Sequence, residues 1–154
     1  MCLQVIESIG QSLRTIGMAL KTYFADANDA LYKTCFDIIS DYADAENVDL
    51  SSLAIWALGD VGVPPELVST RLIELIDSPP KSSPDRTGTC RAVAFRMLAR
   101  NDVDAAAAYR NHPAFDEFTQ MLIDIRRRSL ERYPDNKKLV TQVDSELAPW
   151  GITA

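Results

Sequence analysis

The segment from Asp49 to Arg100 constrains the fold more than any other part of the chain. Its apolar residues recur every three or four positions in three separate stretches, and this spacing predicts three helices. Gly62 is suited to end the first helix in the left-handed conformation, and Pro64-Pro65 is suited to begin the second. Small residues such as Gly59 lie within the apolar faces and allow neighbouring helices to approach closely. The segment therefore predicts paired helices packed in a stack.

The composition is that of one globular domain. The chain has 154 residues, of which 47% are apolar and 25% are charged. A chain of this length buries about 70% of its unfolded surface, so it needs no disulfide or metal to fold. Its cysteines, Cys2, Cys35 and Cys90, have no CxxC spacing and are expected to be reduced thiols. Neither a signal peptide nor an apolar run of membrane-spanning length is present, which favours a cytoplasmic protein.

The same apolar spacing predicts helices on both sides of the central segment. The predicted helices cover residues 3–24, 28–45, 50–61, 64–77, 85–100, 103–110, 113–132 and 135–147. Three prolines within residues 78–84 exclude a helix there. No segment shows the alternation of apolar and polar residues that is typical of strands. The fold class is therefore all-α.

Capping residues and apolar stripes give this prediction its detail. Candidate N-caps, whose side chains accept backbone N–H bonds, are Asp26 or Asn28, Asp49, Asp85 and Asp102. The inward stripe of the first helix is predicted to be Cys2, Ile6, Ile9, Leu13, Ile16, Leu20 and Tyr23. The inward stripe of the second is predicted to be Leu31, Cys35, Ile38 and Tyr42, with Ile39 beside it. The tail Pro149-Trp150-Gly151 is expected to pack loosely or fray.

Part of the central segment resembles a known helical repeat. Residues Ala54 to Gly62 read A-x-x-A-L-G-x-x-G, a pattern similar to the first helix of HEAT-like repeats of the bilin-lyase type. Leu67 to Ile76 looks like the second helix of that repeat, and Cys90 to Leu98 looks like a following first helix. Met97-Leu98-Ala99 stands where the family would have A-L-G. The resemblance covers about residues 49–100, implies a binding scaffold and transfers no catalytic residue.

The predicted architecture combines these observations. We expect residues 1–154 to form a single domain of seven or eight antiparallel helices. They would be arranged either as a HEAT-like α–α superhelix or as an irregular helical bundle.

Few residues suggest chemistry. The one histidine, His112, precedes Pro113 and is expected to be a solvent-facing turn residue at a helix entry. The chain lacks HExxH, phosphate-binding glycine motifs and the GxSxG motif, so no metal, cofactor or catalytic residue is predicted. An acidic cluster at Asp41, Asp44, Glu46 and Asp49 is either a solvated surface or a site for a cation or a basic partner. It lacks the residue order of a calcium loop.

Charge is distributed unevenly along the chain. Residues 1–77 hold 4 Lys or Arg and 12 Asp or Glu, a net charge of −8, whereas residues 78–154 hold 12 and 10, a net charge of +2. An overall charge of −6 makes nucleic acid an unfavourable partner. The asymmetry is either incidental or steers a partner, or another copy of the protein, to one end of the molecule.

Seven residues are candidates for binding a partner. Arg126, Arg127 and Arg128 end a predicted helix, where they either complement the helix dipole or dock an acidic partner. Arg91, Arg96 and Arg100 lie along another helix. Trp56 is either a partly buried core residue or a binding hot spot.

These features favour a protein–protein interaction module, either an adaptor or a small inhibitor or immunity-type protein that acts by binding. The alternative is a lyase-like enzyme or small-ligand-binding domain with a pocket between helices. A homodimer through helix 3–24 is a third hypothesis.

Overall fold

The computed structural model describes residues 3–23, 29–80, 84–135 and 137–153, with the backbone alone for residues 84–86. Within these ranges the chain forms eight α-helices and no strand, which confirms the all-α class. They are α1 (Leu3–Tyr23), α2 (Ala30–Ala43), α3 (Val48–Val61), α4 (Pro65–Asp77), α5 (Pro84–Asn101), α6 (Val103–Ala108), α7 (Pro113–Arg132) and α8 (Lys137–Leu147). A 3-10 turn, Ala148–Trp150, follows α8. No helix in the described ranges is long and apolar enough to cross a membrane.

The helices form a row in which the odd-numbered helices pack on one another and α8 completes one end. Helix α1 packs on α3, α3 on α5, α5 on α7 and α7 on α8, while α2 lies against α1 and α3, and α4 against α3 and α5. The buried apolar residues join into one cluster along this row. Helices α1 and α2 therefore lie at one end of the row, and α7 and α8 lie at the other. A HEAT-like superhelix remains a prediction.

Helix α5 has the longest unbroken run of buried side chains among the described residues. Every side chain from Ala92 to Leu98 is buried, and the helix contacts α3, α4, α6 and α7. The predicted inward residues of this helix, Cys90, Val93, Ala94, Met97 and Leu98, are all confirmed. Met97 packs directly over Gly59 of α3, and the side-chain amide of Asn101 donates to the Gly59 carbonyl at 3.1 Å. Gly59 thus permits the close approach that the sequence predicted.

Two glycines set the contact between α1 and α3. The buried stripe of α1 is Ile6, Gly10, Leu13, Gly17 and Leu20, so the predicted stripe was wrong in part. Ile9 and Ile16 are half-buried at its edge, and Tyr23 is exposed. A Cβ atom on Gly17 would lie 2.6 Å from the Ala57 carbonyl oxygen. The absence of side chains at these positions therefore lets the two backbones approach each other.

The inward stripe predicted for α2 was wrong by one position. Tyr32, Phe36, Ile39 and Ala43 are buried, whereas Leu31, Ile38 and Tyr42 are exposed by 56%, 41% and 36%. Both stripes have helical spacing, but the buried one carries two aromatic rings and the exposed one carries one. Tyr32 stacks on Phe36, and its hydroxyl donates to the Val63 carbonyl at 2.5 Å. Burial raises the pKa of this hydroxyl.

Capping residues mark several of the helix ends, but the structure corrects two of the predicted N-caps, Asp49 and Asp85. Gly62 ends α3 at a φ of 62°, and Asp102 caps α6 by accepting from the Ala105 N–H at 2.9 Å. Asn47, not Asp49, caps α3, because the helix begins two residues earlier than predicted. Asp29 caps α2, and the predicted caps Asp26 and Asn28 lie outside the described residues. Asp85 lies inside α5, which already begins at Pro84.

The tail was wrongly expected to fray. Trp150 is buried and its ring lies 5.5 Å from that of Phe115 and 5.7 Å from that of Phe95, centroid to centroid. The Trp150 carbonyl also accepts a hydrogen bond from Arg110 at 3.2 Å. A large aromatic side chain thus fixes the end of the described chain.

The two glycines of α1 should respond differently to alanine. We expect Gly17→Ala to lower the free energy of unfolding by about 2 kcal/mol, because the new Cβ meets backbone and forces α1 away from α3. Gly10→Ala should cost less than Gly17→Ala. Its Cβ would meet the Leu53 methyl group, which can rotate away, but it would also lie 3.0 Å from Leu53 Cγ and 3.1 Å from Leu53 Cβ. Alanine offsets part of this strain, because it is about 1 kcal/mol more favourable than glycine in a helix. Urea denaturation of both variants measures the difference, and equal losses would contradict this account of the contact.

Candidate protein-binding surfaces

Trp56 and two of the predicted arginines form one cluster. The guanidinium carbon of Arg96 lies 4.8 Å from the centre of the Trp56 ring, and that of Arg100 lies 5.6 Å away. Trp56 extends from α3 and is half-buried, while both arginines extend from α5. Cation–π contacts of this kind hold the three side chains together. The helical spacing of Arg96 and Arg100 places both on the side of α5 that Trp56 covers.

Arg96 is engaged inside the protein. It is only 5% exposed, and its Nε and Nη2 atoms donate to the two carboxylate oxygens of Glu146 at 2.5 and 2.7 Å. Gln142 also donates to Glu146 at 3.2 Å. This bidentate ion pair joins α5 to α8. Arg96, predicted as a candidate for binding a partner, is therefore engaged within the protein. Arg100 is exposed and has no ion-pair partner among the described residues.

A small recess lies beside this cluster. It has a volume of about 180 Å³ and includes Arg96, Arg100, Val103, Glu146 and Trp150 in its lining. The exposed Arg100 and the half-buried Trp56 are therefore the members of the cluster that a partner can reach.

Arg91 lies apart from this cluster and pairs with Glu117, which lines a cleft between α5 and α7. Its Nε donates to Glu117 of α7 at 2.9 Å, and its Nη2 makes a second bond to the same carboxylate. The cleft has a volume of about 680 Å³. Its lining includes Ala92, Met121, Ile125, three carboxylates and Arg128. Apolar residues with a few polar groups are typical of ligand clefts.

The three consecutive arginines of α7 do not form one patch. Arg126 donates to Asp144 of α8 at 2.8 Å, Arg127 donates to Asp124 at 3.1 Å, and Arg128 lines the α5–α7 cleft. Consecutive residues in a helix are about 100° apart, so the three side chains diverge around α7 and reach different carboxylates or the cleft. Arg126 and Arg127 also line a dimple of about 240 Å³ with Ile123, Leu130 and Glu131.

We call Ile123, Arg126, Arg127 and Leu130 the basic face. Leu130 is 42% exposed, so apolar surface and positive charge lie together there.

The exposed apolar stripe of α2 was not identified as a surface from the sequence. We call Leu31, Cys35, Ile38 and Tyr42 the α2 face. Asp41 lies beside it, and Asp37 lies one turn before Asp41, farther round the helix toward Asp44; both are exposed and have no ion-pair partner among the described residues. Leu31, Ile38 and Tyr42 are single apolar side chains in helical register, so together they make a continuous strip. The sequence did contain a signal of this surface. The apolar arc of α2 extends from Leu31 round to Phe36 and is wider than the stripe that the fold buries.

The remaining candidates have structural roles. His112 caps α7 by accepting from the Ala114 N–H at 3.1 Å, and it is half-buried against Tyr109. In the acidic cluster, Asp44 pairs with Arg71 of α4 at 2.5 Å. No group of three His, Cys, Asp or Glu in the described ranges is placed to hold a metal ion.

Glu146 should matter far more to stability than its neighbour Asp144. Glu146→Ala leaves the Arg96 charge buried without a partner, and we expect a loss of about 3 kcal/mol in the free energy of unfolding. Asp144→Ala removes an exposed pair from the same helix and should cost less than about 1 kcal/mol. Chemical denaturation followed by circular dichroism gives both values. An apolar replacement of both partners, Arg96→Met with Glu146→Leu, should recover much of the loss; equal costs of the two alanine variants would contradict the assignment.

Comparison of the chain with protein-family models, curated proteins and solved structures found no match. The residues and contacts described above therefore carry the functional proposal on their own.

Proposed function

We propose that this protein acts by binding another protein, as an adaptor or as a small inhibitor of the immunity type. The observation that carries the proposal is the α2 face. Helix α2 lies at the end of the row and has two apolar stripes. One stripe is buried against the rest of the protein, and the other, from Leu31 to Tyr42, is exposed to solvent. Exposed apolar strips with a polar border are typical of protein interaction sites.

The chemistry of the α2 face indicates what kind of protein fits it. Its apolar strip is one helix wide, which suits an amphipathic helix or the edge of a helical domain. Residues 29–49 contain six acidic residues and one basic residue, a net charge of −5. A partner with apolar side chains bordered by Lys or Arg would therefore be attracted to this end and fixed in register.

The other candidate surfaces support binding less directly. Arg91, Arg96, Arg126 and Arg127 are each paired with a carboxylate, so their charge is already compensated. Arg100 remains available at a small recess, and Trp56 is half-buried against Arg100. Cys35 and Cys90 are free thiols, which fits a cytoplasmic location.

The α5–α7 cleft favours a second candidate, the binding of a small ligand or a lyase-like activity. The cleft has the volume and the mixture of apolar and polar lining that small-ligand sites have. The two candidates place function on different helices, so substitutions can separate them.

A charge placed in the α2 face should abolish partner binding without unfolding the protein. We expect Ile38→Asp to weaken capture of the partner at least about tenfold, because loss of a buried apolar anchor at an interface costs about 2 kcal/mol or more. Ile38 is exposed in the free protein, so the same change should alter its stability little. The measurement is affinity purification from native lysate with quantitative mass spectrometry, and circular dichroism verifies folding.

Two matched variants complete the test. Thr70→Asp adds the same charge to an exposed position of α4 and should retain the partner. Gln120→Trp obstructs the α5–α7 cleft and should also retain it. If Gln120→Trp removes the bound molecule while Ile38→Asp retains it, the interaction proposal is wrong and the small-ligand candidate replaces it.

A further inference from the structure

The basic face has two features that the α2 face lacks: a dimple and positively charged side chains. Its dimple of about 240 Å³ is several times the roughly 30 Å³ that one water molecule occupies, so it can accept a large apolar side chain. Ile123 and Leu130 form its apolar part, and Arg126 and Arg127 lie beside them. Tyr133, which is 64% exposed, follows just after α7 ends.

Positive charge continues from the basic face onto α8. Lys137 lies seven residues before Asp144, on the same side of the helix, and Asp144 is the residue that pairs with Arg126. Residues 124–144, which include the carboxylates paired with Arg126 and Arg127, contain six basic and four acidic residues, a net charge of +2. Arg132, Lys137 and Lys138 are exposed and have no ion-pair partner among the described residues. The end of the molecule that carries this charge is opposite the end that carries −5.

The α2 face is directed away from the rest of the row. Ser40 and Asp44 accept hydrogen bonds from Arg71 of α4 at 3.2 and 2.5 Å, so this side of α2 lies against α4. Residues 40 and 44 are about half a turn around the helix from the α2 face. The face therefore lies on the side of α2 opposite α4, where a further helical layer can be added.

We infer that a second copy of this chain covers the α2 face with its own basic face, so that the protein associates head to tail. The inference rests on the proposed function and names its partner. The charges of the two ends are opposite in sign, and each face has apolar side chains exposed to solvent. Stacked helical proteins bury their apolar faces against the next unit, and here the next unit is another molecule.

This contact joins different surfaces of the two copies. After such a heterologous contact forms, each pair still has one free α2 face and one free basic face, so more copies can add. The assembly is a closed ring if the rotation between neighbouring copies brings the last copy back to the first, and an open chain if it does not. Exposed charges provide much of the steering, so the association should weaken as salt concentration rises. It also differs from the symmetric dimer through helix 3–24 that the sequence suggested, because that dimer would use the same surface of both copies.

Charge reversal on one face at a time tests the inference. Asp37→Lys with Asp41→Lys changes the net charge of residues 29–49 from −5 to −1, and Arg127→Glu with Lys137→Glu changes that of residues 124–144 from +2 to −2. Each variant therefore loses most of the attraction between its own two ends and should sediment as a monomer at concentrations where the wild-type protein associates. In an equimolar mixture, the unaltered basic face of the first variant meets the unaltered α2 face of the second, so pairs should form again. Sedimentation velocity over a wide range of protein concentration measures all four samples.

The outcomes distinguish this inference from the proposed function. Association of the wild type that each reversal removes and the mixture restores would support head-to-tail contact. A wild-type protein that stays monomeric throughout would overturn it, while Ile38-dependent capture of a different protein would leave the proposed function intact. A dimer that survives both reversals would also overturn it, in favour of a symmetric contact elsewhere.

Discussion

Burial of α5 is the constraint on which the other helices depend. Seven consecutive side chains, Ala92 to Leu98, are removed from water, and this requires neighbours on every side of the helix. One of the seven is Arg96, whose charge cannot be buried without a counter-charge. Glu146 provides that charge from α8, so this ion pair links α5 to the last helix, which packs on α7. Trp56 packs against the same guanidinium and connects α3 to the arrangement.

The packing order leaves the two ends of the molecule unequal. At one end, the α1–α3 contact is close because Gly10 and Gly17 have no side chains, and α2 then covers only half of its apolar arc. At the other end, α7 and α8 leave Leu130 and a dimple beside Arg126 and Arg127 uncovered. Each end thus has exposed apolar side chains with charge of one sign, which is why the proposals for function concern the ends.

The sequence predicted the positions of the helices better than the direction of their faces. Helix α7 has the predicted bounds, because Pro113 starts it and Pro134 follows its end. Helix α2 shows why direction was harder: two neighbouring stripes both have apolar helical spacing, and only packing against α1 and α3 selects Tyr32 over Leu31. Gly10 and Gly17 carry no apolar signal at all. In the candidate site, the sequence grouped Arg96 with Arg100, but the partner Glu146 is fifty residues away in sequence and could be found only in the fold.

Cross-linking tests the account of unequal ends most directly. A carbodiimide joins a carboxylate to a lysine amine only when the two are in contact, so it reports ion pairs between molecules. In an equal mixture of nitrogen-14 and nitrogen-15 protein, mass spectrometry identifies links between copies by their mixed isotopes. Our account predicts mixed-isotope links from Asp41 to Lys137 or Lys138 that disappear at high salt. Links between copies that join α1 to α1 instead, or that involve carboxylates without preference, would contradict it.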